Sequence, residues 1–222
     1  MATHVLRMVR QVPEIVIFDL DGTILNTITD LGNACNHALL QVGLAPIDID
    51  VYPHLVGNGV NKLIERAIRY VAPDSGMTVE AMRHYFIPYY DAHCTDCTKP
   101  YEGVPEMLTE LKKRGYQLAV ASNKYQDGVS RIVPHFFPDM FEQVLGEHEG
   151  CPRKPEPQII DEIRQGRSAL MVGDSLVDIA TAKNAAVPVI ACSWGFERRD
   201  QLVAAEPDYI VAEPAQILSL LG

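Results

Sequence analysis

Three strand-sized apolar runs in this chain each stop on a polar cluster. Glu14-Ile15-Val16-Ile17-Phe18 leads into Asp19, Gln117-Leu118-Ala119-Val120-Ala121 into Ser122, and Ala169-Leu170-Met171-Val172 into Gly173-Asp174. The runs are continuously apolar rather than alternating, which is the pattern of strands covered on both faces of a parallel sheet. From Tyr101 onward the intervening segments have helical spacing. The pattern predicts helices over Val104 to Arg114, Gln126 to Val133 (stopped by Pro134), Glu156 to Gln165, Leu176 to Ala186 and Pro214 to Leu221. Further strands are expected at Phe141 to Leu145, Val187 to Cys192 and Tyr209 to Val211. Repeated strand–helix units imply an α/β, doubly wound, mainly parallel sheet. In such sheets ligands bind just beyond the carboxyl ends of the strands, where these three polar clusters would meet.

Between Ile24 and Pro100 the texture changes. Apolar residues recur at helical spacing in Ile28–Leu40, Val60–Val71 and Val79–Tyr90, and Pro46, Pro53, Pro73 and Pro88 are expected to break the segment into short helices. The reading is a helical cap over residues 26–99, inserted into a core built from 12–25 and 100–222, with hinges near Asn26-Thr27 and Thr98-Lys99-Pro100.

The formal net charge is −10 and no Lys/Arg run occurs, so nucleic acid and acidic membrane surfaces are not expected partners. Apolar stretches fall far short of the ~18 residues that span a bilayer, and Met1–Arg7 lacks a signal-peptide apolar core. A cytoplasmic location is expected. Five cysteines without framework spacing fit reduced thiols, and Cys94-Thr95-Asp96-Cys97 reads as two thiols near a helix end rather than a zinc or redox pair. The seven His residues are scattered and receive no role.

Asp19 and Asp21 stand two apart at a strand end. Alone, Asp-Gly-Thr fits a turn, and an EF-hand is excluded because Gly22 falls at the fourth loop position and Asp30 at the twelfth. With downstream partners the pair becomes chemical. A carboxylate can attack phosphorus to give an aspartyl phosphate, and a second acid two residues on can protonate the leaving alcohol and later activate water. Asp19 is the expected nucleophile and Asp21 the acid/base. Several carboxylates around a phosphate need a cation among them, and Mg²⁺ prefers such oxygen donors: the Asp19 and Asp174 side chains and the Asp21 carbonyl. Asp178, one helical turn beyond Asp174, and Ser175 are expected behind that set. Ser122 and Asn123, with Thr23, are expected to hold phosphoryl oxygens, and Lys154, before Pro155, to offset charge in the transition state.

Taken together, Asp19-Leu-Asp21-Gly-Thr23, then Ser122, then Lys154, then Gly173-Asp174-Ser-Leu-Val-Asp178 resembles the haloacid dehalogenase superfamily of phosphohydrolases over essentially the whole chain. The resemblance implies a Rossmann-like core, Mg²⁺, an Asp19 phosphoenzyme and a helical cap after the first motif. Val56-Gly57-Asn58-Gly59-Val60-Asn61-Lys62-Leu63-Ile64-Glu65-Arg66-Ala67, Pro100-Tyr101-Glu102-Gly103-Val104 and Ser193-Trp194-Gly195-Phe196 are similar to the phosphoglycolate phosphatases of that superfamily. In the first of these, Gly57, Asn58 and Gly59 form a polar turn that can offer N–H groups to a substrate anion. Lys62, Arg66 and Arg69 read as a solvated helix face, from which one of them could reach the substrate. Ala186-Val187-Pro188 departs from the related pattern, which commonly has Gly at the first position.

The expected activity is Mg²⁺-dependent hydrolysis of a small phosphorylated metabolite, 2-phosphoglycolate first, by a monomer or homodimer. A phosphomutase or pyrophosphatase of the same superfamily is the enzymatic alternative. Outside that class, a receiver-like phospho-signalling module would carry its Asp after a later strand and needs no long insertion, and a non-catalytic binding module would not need the full set of acids with Lys154.

Overall fold

The computed structural model describes residues 12–222; the N-terminal stretch Met1–Arg7 lies outside them. Strand β1 (Ile15–Phe18) runs through the middle of a six-stranded sheet. Beside it lie β4 (Gln117–Tyr125) and β6 (Ala169–Gly173), flanked by β5 (Gln143–Glu147) on one side and by β7 (Val189–Cys192) and β8 (Tyr209–Val211) on the other. The order is β5-β4-β1-β6-β7-β8, with every pairing parallel.

Period-2 alternation then divides the core in two. Val16, Phe18, Leu118, Val120, Leu170 and Val172 face one layer, with α4 (Val104–Lys113), α5 (Gln126–Phe136) and α9 (Pro214–Leu220) packed on it. Ile15, Ile17, Ala119, Ala121 and Met171 face the other, against α6 (Gln158–Arg164), α7 (Leu176–Asn184) and α8 (Arg199–Ala204). Both sheet faces are therefore covered, which is why the runs are apolar throughout.

The inserted segment folds as α1 (Ile28–Gln41), a 3-10 turn (Ile49–His54), α2 (Val60–Val71) and α3 (Val79–His93), the three helices packing on one another. Two short strands, β2 (Leu25–Asn26) and β3 (Lys99–Pro100), pair antiparallel where the segment leaves and returns. Asp30, 3% exposed, accepts the backbone N–H groups of Cys97 and Thr98 and ties that crossing together. The Cys94–Cys97 stretch is thus an ordinary return loop, with Cys94 buried and Cys97 exposed.

Several local expectations are corrected. Pro88 lies inside α3 and Pro134 inside α5 without ending either helix. Each proline removes one hydrogen bond, whereas the buried faces Met82–Phe86–Tyr90 and Val129–Ile132–Val133 hold the helices on. The fifth strand starts two residues later than Phe141, whose ring instead packs edge-on against Phe18 at 6.4 Å and Phe137 at 5.9 Å. Helix α8 was not foreseen, because Leu202 is its one buried residue. Strand β7 begins at Val189 rather than Val187. The turn ahead of it puts the exposed Ala186 at φ +53°, a left-handed conformation that a side chain disfavours. Ala186→Gly is therefore expected to raise stability by about 0.5–1 kcal/mol, read as an upward shift in the denaturation midpoint.

Candidate active site

Four strand ends converge as the topology requires. Asp19 follows β1, Ser122 and Asn123 lie in the carboxyl-terminal part of β4, Asp174 follows β6, and Lys154 comes from the loop after β5. These five, with Asp21, Ser175 and the cap's Gly57, Asn58 and Gly59, line one cavity of about 510 Å³ between core and cap.

Lys154 is the hub. It is 3% exposed, and its Nζ donates to Asp19 Oδ1 at 2.9 Å, to Asp178 Oδ1 at 2.7 Å and to the Ala121 carbonyl at 2.9 Å. Asn123 fixes the backbone of that lysine from both sides, its Oδ1 accepting Lys154 N–H and its Nδ2 donating to Lys154 O. Asp178, fully buried, accepts the Ser175 N–H and hydroxyl on its other oxygen and closes a capping box at the start of α7. Asp178 and Ser175 therefore orient the lysine and the loop.

Asp174 Oδ1 accepts the Thr23 hydroxyl at 2.8 Å, and its Oδ2 accepts the Phe196 N–H at 2.8 Å. Thr23 is fully buried and absent from the cavity wall, so its expected contact with phosphate is replaced by a hold on Asp174. Trp194, whose Nε1 donates to the Thr23 carbonyl, joins the same clamp. Asp21 accepts the Thr27 hydroxyl at 2.7 Å and the Lys124 ammonium at 2.9 Å.

Charge is crowded here. Burial and the neighbouring Asp178 push the Asp19 carboxyl up to about 7, with Asp21 adding to the rise and Lys154 opposing it. Burial, Asp19 and Asp178 likewise push Asp174 well above the carboxylate range, against the pull of the Phe196 N–H and the Thr23 hydroxyl. Burial alone would lower the Lys154 ammonium, but Asp178 and Asp19 outweigh it and keep it protonated. Carboxylate oxygens of Asp19, Asp174 and Asp178 lie within 4.8 Å of one another. Such an all-oxygen set of destabilised anions fits a hard divalent cation. Gly22 leaves room for it to form: a Cβ there would stand 2.3 Å from Asp174 Oδ2.

Arg66 corrects the solvated-face reading. Its guanidinium turns back to the carbonyls of Leu55, Val56 and Gly57 and to Asn58 Oδ1, holding the cap loop in shape, while Lys62 and Arg69 pair with Glu65 at the surface. Gly59 approaches the core so closely that a Cβ would lie 2.9 Å from the Asn123 carbonyl. From the sequence, Lys124 and Tyr90 do not stand out as site residues, Thr27 enters only as a hinge position and Phe196 only within Ser193–Phe196. Lys124 had a signal, since it directly follows Ser122-Asn123; Tyr90 comes from a distant segment.

A doubly wound sheet with a helical cap gathers an Asp pair, a lysine and a third acid at its carboxyl edge, the layout of a hydrolase built on an α/β sheet. The chain belongs to the haloacid dehalogenase-like hydrolase family, which it matches over residues 16–192. It is 34% identical over 194 residues to a phosphoglycolate phosphatase of Mesorhizobium japonicum, covering 83% of this chain and 85% of that one. A phosphoglycolate phosphatase of Agrobacterium fabrum is 32% identical, covering 96% and 94%. Among solved structures, a predicted phosphoglycolate phosphatase from Haemophilus somnus superposes with a TM-score of 0.89 at 28% identity, covering 96% of this chain and 100% of that one. These relatives put the chain with the phosphatases of its family. No helix among the described residues is long and apolar enough to cross a membrane.

Proposed function

We propose that this protein hydrolyses 2-phosphoglycolate or a closely similar small carboxylated phosphate monoester through an aspartyl-phosphate on Asp19. The observation that carries the reading is the convergence of Asp19, Asp21, Lys154 and Asp174 on one cavity beneath the cap. Asp19 attacks phosphorus as the leaving alcohol takes a proton from Asp21. In the second half Asp21 accepts a proton from the water that cleaves the acyl phosphate. Ser122 and nearby backbone N–H groups hold the phosphoryl oxygens, Asn123 keeps Lys154 in place, and the ammonium balances charge shared between Asp19 and the phosphoryl group. The Asp19 and Asp174 carboxylates and the Asp21 carbonyl would hold Mg²⁺, which when bound neutralises charge between nucleophile and phosphoryl oxygens. The cap, taken as residues 26–99, excludes bulk water and selects the leaving group, moving about the β2–β3 ribbon. Gly57, Asn58 and Gly59 face the substrate from it.

Phosphate release from a panel of phosphorylated metabolites, with Mg²⁺ and with EDTA, tests the reading. Free phosphate from 2-phosphoglycolate that EDTA suppresses supports it; phosphate that only migrates within a sugar would identify a mutase instead.

Metal binding should depend on pH in a defined direction. Between about 4 and about 7 the folded, metal-free protein keeps a proton on Asp19 that the unfolded chain has lost. Its stability thus falls as pH rises through that window, and a cation has to displace the proton. The rise in Tm on adding Mg²⁺ is expected to be several degrees larger at about pH 7.5 than at about pH 5.5. A larger effect on the acid side would refute the assignment.

A further inference from the structure

The cations around the cavity are not equally engaged. Lys154 donates to three oxygens and Arg66 to four, all within the protein. Among the described residues Lys124 has one oxygen partner, Asp21 Oδ2, although its side chain is only 4% exposed. Its Nζ sits 4.8 Å from the centre of the Tyr90 ring. Tyr90, from cap helix α3, is 1% exposed, lines the same cavity and has a buried hydroxyl with no hydrogen-bond partner among the described residues. An ammonium with spare N–H groups over a ring whose buried hydroxyl is unpaired gives two donors that an anion could use.

Position selects the kind of anion. Asp21 is the proposed acid for the leaving oxygen, with Lys124 on its Oδ2 and the Thr27 hydroxyl on its Oδ1. A group bonded to Lys124 therefore lies on the leaving-group side of the cavity, next to the acid/base carboxylate. A short leaving group with a carboxylate one carbon from the ester oxygen carries its charge on that side. Apolar Leu31, Val60, Leu63 and Phe86 line the same cavity.

We propose that Lys124 and the Tyr90 hydroxyl form a subsite for the substrate's carboxylate, one partner on the core strand and the other on the cap. The inference rests on the phosphatase reading above. A substrate carrying the carboxylate bridges core and cap, so recognition of the leaving group and closure of the cavity become the same event.

The test compares kcat/KM for 2-phosphoglycolate and for 2-hydroxyethyl phosphate, which replaces the carboxylate by a neutral hydroxymethyl group. The wild-type enzyme is expected to prefer the first by about 100-fold or more. Tyr90→Phe should lower the 2-phosphoglycolate value about 10-fold and leave the neutral ester within about 2-fold. Lys124→Gln should lower both, because Asp21 loses its partner, but should collapse the preference to within about 3-fold. Mere loss of Asp21 positioning would depress both substrates equally and keep the ratio. Tyr90→Phe, near-isosteric, decides the matter should Lys124→Gln fail to fold. A preference unchanged in the folded variants, or absent in the wild type, overturns the subsite while leaving the phosphatase reading intact. No phosphate release from any monoester overturns both.

Discussion

Asp19→Asn is expected to lower phosphate release from the best substrate by at least about 10⁴-fold while the protein stays folded. The amide keeps the shape of the side chain but cannot attack phosphorus, and no other described residue combines Asp19's exposure to the cavity with the Lys154 contact. The structural side of the expectation is the more unusual. Asp19 is held near three other carboxylates, and burial pushes its carboxyl up to about 7, so the wild-type charge is a strain on the metal-free fold. Removing it should leave the metal-free Tm at neutral pH equal to or above that of wild type, and the stabilisation by Mg²⁺ should vanish. Thermal melts with and without Mg²⁺, beside the phosphate assay, would read both. Turnover near the wild-type rate would end the nucleophile assignment.

Lys154→Met should damage both function and fold. The ammonium is buried between Asp19 and Asp178, and Asp178 has no exposure to water. Removing one member of such a cluster leaves anions uncompensated, at a cost of about 3–5 kcal/mol. Activity should fall about 10³-fold, since charge on the phosphoryl group loses its partner. The two effects separate in the double variant Lys154→Met/Asp178→Asn. Neutralising Asp178 should recover about half of the lost stability or more and none of the activity. Equal recovery of both would mean that the lysine acts only through packing.

The core was legible because its strands carry an unambiguous pattern. Ile15–Phe18, Leu118–Ala121 and Ala169–Val172 are buried on both faces, so each reads as a continuous apolar run whose end is marked by the first polar residue. The same rule locates Asp19, Ser122 and Asp174, since chemistry in this topology sits where the runs stop. Weakly buried elements did not show. Helix α8 rests on Leu202 alone, and β2 and β3 are two residues each. Prolines misled in the other direction: at positions 88 and 134 burial of the helix face outweighs a missing N–H.

Roles within the site were less legible than its membership. Thr23 was assigned to phosphate from its place in the Asp-x-Asp-x-Thr pattern, yet its hydroxyl belongs to Asp174, 151 positions away. Arg66 looked like a solvated cation, yet it closes on three carbonyls of the preceding loop. Apolar periodicity and strand ends are local properties, set by which face a segment buries, so the order of residues carries the sheet, the insertion and the list of candidate acids. Which oxygen a hydroxyl or ammonium reaches depends on side chains brought together from far apart in the chain, at distances where a shift of one ångström makes or breaks a hydrogen bond. Lys124 beneath Tyr90, and Lys154 between Asp19 and Asp178, exist as partners because the folded chain has closed those gaps.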